Sequence, residues 1–208
     1  MTGRHPLPNA WLFSDERIAA GIAELAASLP PGSGIVLRHD NLSRGARWRL
    51  LRRLMRIARA RGLTVLLAGQ PATARRWGAH GIHVRQHDAK RAGQAHRLGL
   101  LLTMPVHDAR EARRARRAGA HGAFISPLHP TRSHPGASML GRAAWLRLAR
   151  LSGAQPIALG GMTAARARAL NRASGLRPGW AAIDAWFDKR EEKATKRRKR
   201  QKRNAVPI

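Results

Sequence analysis

From residue 10 to residue 183, short apolar runs alternate with helix-like stretches about eight times over. This alternation limits the fold more than any single motif does. The apolar runs fall at residues 10–13, 35–37, 63–68, 82–84, 100–104, 123–125, 156–159 and 179–183. Each is continuous rather than alternating, as expected of strands buried on both faces. Helical spacing is read over residues 18–29, 43–61, 72–77, 89–98, 108–118, 142–151 and 164–171. Ser14-Asp15-Glu16 reads as the start of the first of these helices, with Ser14 as its cap. The repeat predicts an α/β fold, a single (β/α)8 TIM barrel over residues 10–188, with an open doubly wound sheet as the alternative. Residues 1–9 read as a loose lead-in, and residues 189–208 as a basic tail, disordered or a frayed helix.

With 208 residues, 43% of them hydrophobic, the chain can bury one substantial core. It has no cysteine, which excludes disulfides, thiolate nucleophiles and thiolate metal sites. No apolar run is long enough to span a membrane, and the N-terminus lacks a secretory pattern, so a cytoplasmic protein is expected. The formal net charge of +29 points to polyanions. The body's basic residues are overwhelmingly Arg, alongside abundant Ala, a bias that a GC-rich genome would also produce. Lysine concentrates in the tail, where non-specific contact with polyanions is expected at low salt.

In a barrel the loops after the strands face one mouth. There they would gather Arg38, His39, Asp40, Gln70, Arg85, Gln86, Asp88, His107 and Asp184. The densest loop follows the run at 123–125 and holds Ser126, His129, Thr131, Arg132, Ser133 and His134 between prolines. His129 and His134 are candidates for phosphate contact or acid/base work. Gly160-Gly161 stands after an apolar run and before a helix, where backbone N–H groups can cradle a phosphate. Asp88 offers a hard oxygen ligand for magnesium, or a cap for the helix after it, and Asp108 reads as a cap. His83 lies within a strand and is structural or faces the barrel interior.

Three of these stretches, in order and spacing, resemble the thiamine phosphate synthase and thiazole tautomerase superfamily. Residues 78–88, GAHGIHVRQHD, are similar to its G-A-D-G-V-H-L-G-Q-x-D motif. Residues 126–136, SPLHPTRSHPG, are similar to its G-P-V-F-P-T-x-[ST]-K loop. Residues 157–162, IALGGM, are similar to its A-I-G-G-I turn. The resemblance implies a β/α barrel that joins hydroxymethylpyrimidine diphosphate to a thiazole phosphate, giving thiamine phosphate and pyrophosphate with Mg2+. It would give Thr131 and Ser133 to the pyrophosphate, Gly160 and Gly161 to the thiazole phosphate and Asp88 to the metal; beside it, Arg38, His129 and His134 are read as catalytic, and Gln86 and Asp184 as substrate-binding. The chain also departs from the pattern. The second-strand motif Q-x-R-x-K is here VLRHD, which keeps Arg38 alone; the third-strand N-D is replaced by Ala68-Gly69-Gln70; and His134 stands where a lysine is usual. The thiazole-phosphate side is better kept than the diphosphate side. The implied alternatives are a catalytically reduced barrel that binds or senses a small phosphate ester, and a tautomerase-like isomerase.

Overall fold

The computed structural model of the chain describes residues 7–16, 21–130, 136 and 138–188. Eight parallel strands close into a barrel in sequence order. They are β1 (Ala10–Phe13), β2 (Gly34–Leu37), β3 (Thr64–Ala68), β4 (Gly81–His83), β5 (Leu101–Val106), β6 (Gly122–Ile125), β7 (Gln155–Ala158) and β8 (Gly179–Ala182). Closure comes from β8 pairing back onto β1, Trp180 beside Ala10, which removes the open-sheet alternative. The surrounding helices are α1 (Ile22–Ser28), α2 (Arg44–Arg61), α3 (Pro71–Trp77), α4 (Ala92–Arg97), α5 (Ala109–Arg117), α6 (Gly141–Ser152) and α7 (Ala164–Ser174). Among the described residues no helix is long and apolar enough to cross a membrane.

The continuous apolar runs are explained by two separate cores. Leu12, Ile35, Leu37, Val65, Leu67, Ala123 and Ile125 pack outward under the helices. Their chain neighbours Trp11, Phe13, Val36, Leu66 and Phe124 pack inward, inside the barrel. Each strand therefore needs apolar side chains on both faces.

The inner core is fitted by a size rule. The even strands β2, β4, β6 and β8 begin with Gly34, Gly81, Gly122 and Gly179. A Cβ on Gly34 would overlap the Trp11 ring, and one on Gly122 would stand 2.7 Å from Leu7. The odd strands supply the bulk: Trp11, Leu66, Leu101 and Ile157. Layers built from alternate strands are how such a barrel fills its interior. Leu7 belongs to this core, and the Pro8 carbonyl accepts the Trp11 Nε1–H at 2.6 Å. The expected lead-in is thus not loose at residues 7–9, because they plug the floor that the glycines leave open.

Of the expected caps, Asp108 stands where it was placed, and Ser43 and Thr163 add two that were not named. Ser43, Asp108 and Thr163 accept backbone N–H groups at the starts of α2, α5 and α7. Ser14, read as a cap, has a fully buried hydroxyl that accepts the Arg38 backbone N–H at 2.7 Å and lies 2.9 Å from His39 Nδ1, while residues 17–20, which it would cap, lie outside the described residues. The expected helix at 89–98 begins instead as a 3-10 turn, Gln86–Arg91, and α4 starts only at Ala92 with Arg91 at its cap. Asp88 therefore sits inside that turn and caps nothing. Residues 1–6, 17–20, 131–135, 137 and the basic tail at 189–208 lie outside the described residues.

Candidate functional site

A cavity of about 620 Å3 opens at the C-terminal ends of the strands. Its floor is aromatic. The Phe13 and Phe124 rings meet edge to face with centroids 4.7 Å apart, and His83 stands edge-on to both at 5.4 and 5.3 Å. His83 Nδ1 lies 3.0 Å from Thr103 Oγ1, and the Thr103 hydroxyl donates to the Ile82 carbonyl at 3.4 Å. That direction makes His83 Nδ1 the donor and leaves Nε2 as the acceptor on the cavity side. Burial, and then the guanidiniums of Arg38 and Arg85, push the His83 pKa down to about 3. The ring is neutral at any ordinary pH.

One wall carries the glycine turn that follows β7. Gly160 and Gly161 adopt φ of 92° and 57°, a region that favours glycine. Space demands glycine as well: a Cβ on Gly160 would lie 2.8 Å from Pro127 Cα, and one on Gly161 would overlap the Pro130 carbonyl. The β6 loop is zipped to this turn, with the Leu128 N–H donating to Leu159 at 3.0 Å and the His129 N–H to Gly160 at 3.2 Å. Among the described residues no hydrogen-bond acceptor faces the Gly160 or Gly161 N–H. The turn leads into α7, whose N-terminus favours an anion. Arg166 reaches back to donate to the Gly161 carbonyl, placing a cation beside the turn. His129 sits next to it, its pKa lowered by burial and then by Arg166. It is therefore a neutral hydrogen-bonding group rather than a second cation.

The opposite wall is built on arginine. Arg38 donates to the Ser14 carbonyl at 3.0 Å, pairs with Asp15 at 3.3 Å and lies over the Phe13 ring at 5.5 Å. Asp40 and Arg85 pair across the mouth, and Asp184 and Asp188 line it from the β8 side.

Arg38, Gly160, Gly161 and Asp184, all named from sequence, line one cavity, and His129 adjoins it. Gln86 and Asp88 are not on its wall. The Gln86 amide is spent on structure, donating to the Pro105 carbonyl and accepting from Arg114 at 3.2 Å. Asp88 pairs with Arg91 at 3.2 Å and with His87 at 3.5 Å. Thr131, Ser133 and His134 lie outside the described residues. Arg85, gathered at the mouth from sequence but given no role there, also lines the cavity, whereas Arg166 and the Phe13–Phe124 floor were not named for it. Arg166 carries a signal in standing three residues after the Thr163 cap.

The donors do not suit magnesium, which is held through one or two uncommitted carboxylates together with waters and phosphate oxygens. The Asp40 and Asp88 carboxylates are each held by two basic groups. No group of three metal-binding side chains occurs among the described residues.

The family model for thiamine monophosphate synthase matches residues 14–185. No curated protein matches the chain. Among solved structures, thiamine phosphate pyrophosphorylase from Pyrococcus furiosus is similar with a TM-score of 0.73 and 19% identity, over 86% of this chain and 87% of that one. FabK from Thermotoga maritima follows at a TM-score of 0.68 and 14% identity, over 86% of this chain and 59% of that one. The YdjI aldolase from Escherichia coli K12 has a TM-score of 0.60 and 11% identity, over 85% and 75%. At such identities these likenesses speak to the barrel alone.

Proposed function

The chain belongs to the thiamine monophosphate synthase family, and from that premise we propose that it is a synthase-like transferase. It seats a thiazole phosphate on the Gly160–Gly161 turn and joins it to hydroxymethylpyrimidine diphosphate, giving thiamine phosphate and pyrophosphate. One observation carries this reading: the Gly160–Gly161 turn, whose N–H groups make no backbone hydrogen bond among the described residues, stands at the N-terminus of α7 on the wall of a cavity of about 620 Å3.

The chemistry fits the residues. The pyrimidine's carbon–oxygen bond to the diphosphate breaks, and its electron pair leaves with pyrophosphate. The thiazole nitrogen then closes the new carbon–nitrogen bond with its lone pair. Fixing one reactant by its phosphate turns an encounter into an intramolecular step. Charge developing on the leaving pyrophosphate falls to Arg38 and Arg85 on the opposite wall, with Thr131, Ser133 and His134 assigned to it by the loop motif. His129 hydrogen-bonds the ligand beside the turn. No step passes through magnesium, for which the donors do not fit. The test is Gly161→Asp, which adds a side chain and a negative charge where the phosphate would sit. Thiazole phosphate affinity should fall at least about 100-fold, roughly 3 kcal/mol. Unchanged affinity would remove the assignment.

A second reading, a tautomerase-like isomerase, is favoured by His83 alone. A neutral imidazole held by Thr103 on an aromatic floor is placed to hydrogen-bond a ring bound above it, although a pKa of about 3 makes it a weak base.

A further inference from the structure

At the β2–β3 edge of the mouth, guanidiniums stand where a hard cation would need oxygen. Arg47, from α2, reaches over the strand ends with a side chain only 16% exposed. Its Nη2 donates to the Ala68 carbonyl at 2.5 Å, approaches the Leu37 carbonyl at 3.5 Å and pairs with Asp40 Oδ1 at 3.2 Å. The other Asp40 oxygen takes the Arg85 Nη2. Both oxygens of the carboxylate and the two strand-end carbonyls are therefore already engaged by arginine. Asp88, the ligand expected from sequence, is held by Arg91 and His87 and is off the cavity wall. A divalent cation at Asp40 would have to displace one guanidinium and lie against the other.

Arg85 is the member of this bridge that can meet a ligand. It lines the cavity, is 59% exposed, and commits one Nη group to Asp40 out of the five donors of a guanidinium. Its field, with that of Arg38, is already felt at the floor through His83.

We propose that the Arg47–Asp40–Arg85 bridge takes the place of a divalent cation at this mouth, so that a diphosphate is bound directly by Arg85 without magnesium. The proposal rests on the phosphate-ester reading above, and its failure is separable from failure of that reading. The experiment is calorimetric titration of the full chain with inorganic pyrophosphate at moderate salt, in magnesium and in EDTA. It is repeated with Arg85→Gln and Arg85→Lys, both checked for an unchanged melting temperature. Binding should be at least as tight in EDTA as in magnesium. It should weaken about tenfold or more in Arg85→Gln and recover in part in Arg85→Lys. Binding seen only in magnesium would overturn the bridge as a cation substitute and leave the phosphate-ester reading standing. Equal binding by the wild type and Arg85→Gln would overturn Arg85 as the contact. No pyrophosphate binding in either condition would overturn the bridge and the diphosphate half of the proposed reaction together.

Discussion

His80 and Val65 exchange two hydrogen bonds where β3 and β4 begin: the His80 N–H donates to the Val65 carbonyl at 3.0 Å, and the Val65 N–H donates to His80 Nδ1 at 2.9 Å. His121 repeats the device on Leu102, at 2.8 and 2.9 Å. Both histidines stand in a Gly-Ala-His-Gly sequence, at residues 78–81 and 119–122. The imidazole can accept at Nδ1 only while that nitrogen carries no proton.

A stability dependence on pH follows. Burial, and then Arg59, hold the His80 pKa below its ordinary 6.5. The folded value lies below the unfolded one, so the contribution is fully present above pH 6.5 and is lost as pH falls through the folded value. His80→Asp keeps an acceptor that stays ionised across that window. Melting temperatures measured at a series of pH values should fall with acid more steeply in the wild type, by about 1 kcal/mol for this bond. Parallel curves would refute it.

The glycine layer of the barrel gives a contrast between two Gly→Ala changes. At Gly34 the new methyl would overlap the fully buried Trp11 ring. At Gly45, in the first turn of α2, it would meet only the flexible end of Arg49 at 3.5 Å. Gly34→Ala should destabilise by about 1–3 kcal/mol through overpacking. Gly45→Ala should stabilise by about 0.5–1 kcal/mol, because alanine loses less freedom in a helix. Denaturant midpoints of the two variants read both signs, and equal shifts would contradict the layer.

Arg47 ties the ends of β2 and β3 to Asp40. Arg47→Met keeps the aliphatic stem and removes the donors, leaving the Ala68 carbonyl without its 2.5 Å partner and Asp40 with Arg85 alone. A loss of about 1–3 kcal/mol is expected in urea unfolding, from the orphaned buried carbonyl. A stability equal to wild type would mean that the bridge holds nothing together.

His83 separates the isomerase reading from the transferase reading. If it moves a proton, His83→Gln should slow solvent-deuterium exchange into a bound thiazole phosphate by about 100-fold or more, with affinity unchanged. Exchange at the wild-type rate would discard the isomerase reading.

The barrel was legible because every strand is short and must be apolar on both faces, a pattern few other folds share. The Gly160–Gly161 turn was legible because only glycine suits both its backbone and its crowding. Ser14 was read only as a helix cap, since a serine before two acids has that composition, and nothing local shows that its hydroxyl meets the Arg38 N–H and His39 across the β1–β2 edge. Asp88 misled as a cap, one turn too early for α4. Of the arginine bridge, Asp40 and Arg85 were legible at the mouth and Arg47 was not. Arg47 is one of many arginines along α2, and which of them reaches over the strand ends depends on the helix's rotation against the sheet. Long side chains act far from their own place in sequence.

The measurement that bears most directly on the proposed reaction is pyrophosphate release from the purified full chain given hydroxymethylpyrimidine diphosphate and a thiazole phosphate. It would be run at moderate salt, where the basic tail does not sequester the diphosphate. The account predicts release matched mole for mole by thiamine phosphate, and the rate should survive EDTA. No release in EDTA or in magnesium, with thiazole phosphate still bound, would contradict the transferase and leave a barrel that only binds or isomerises its phosphate ester.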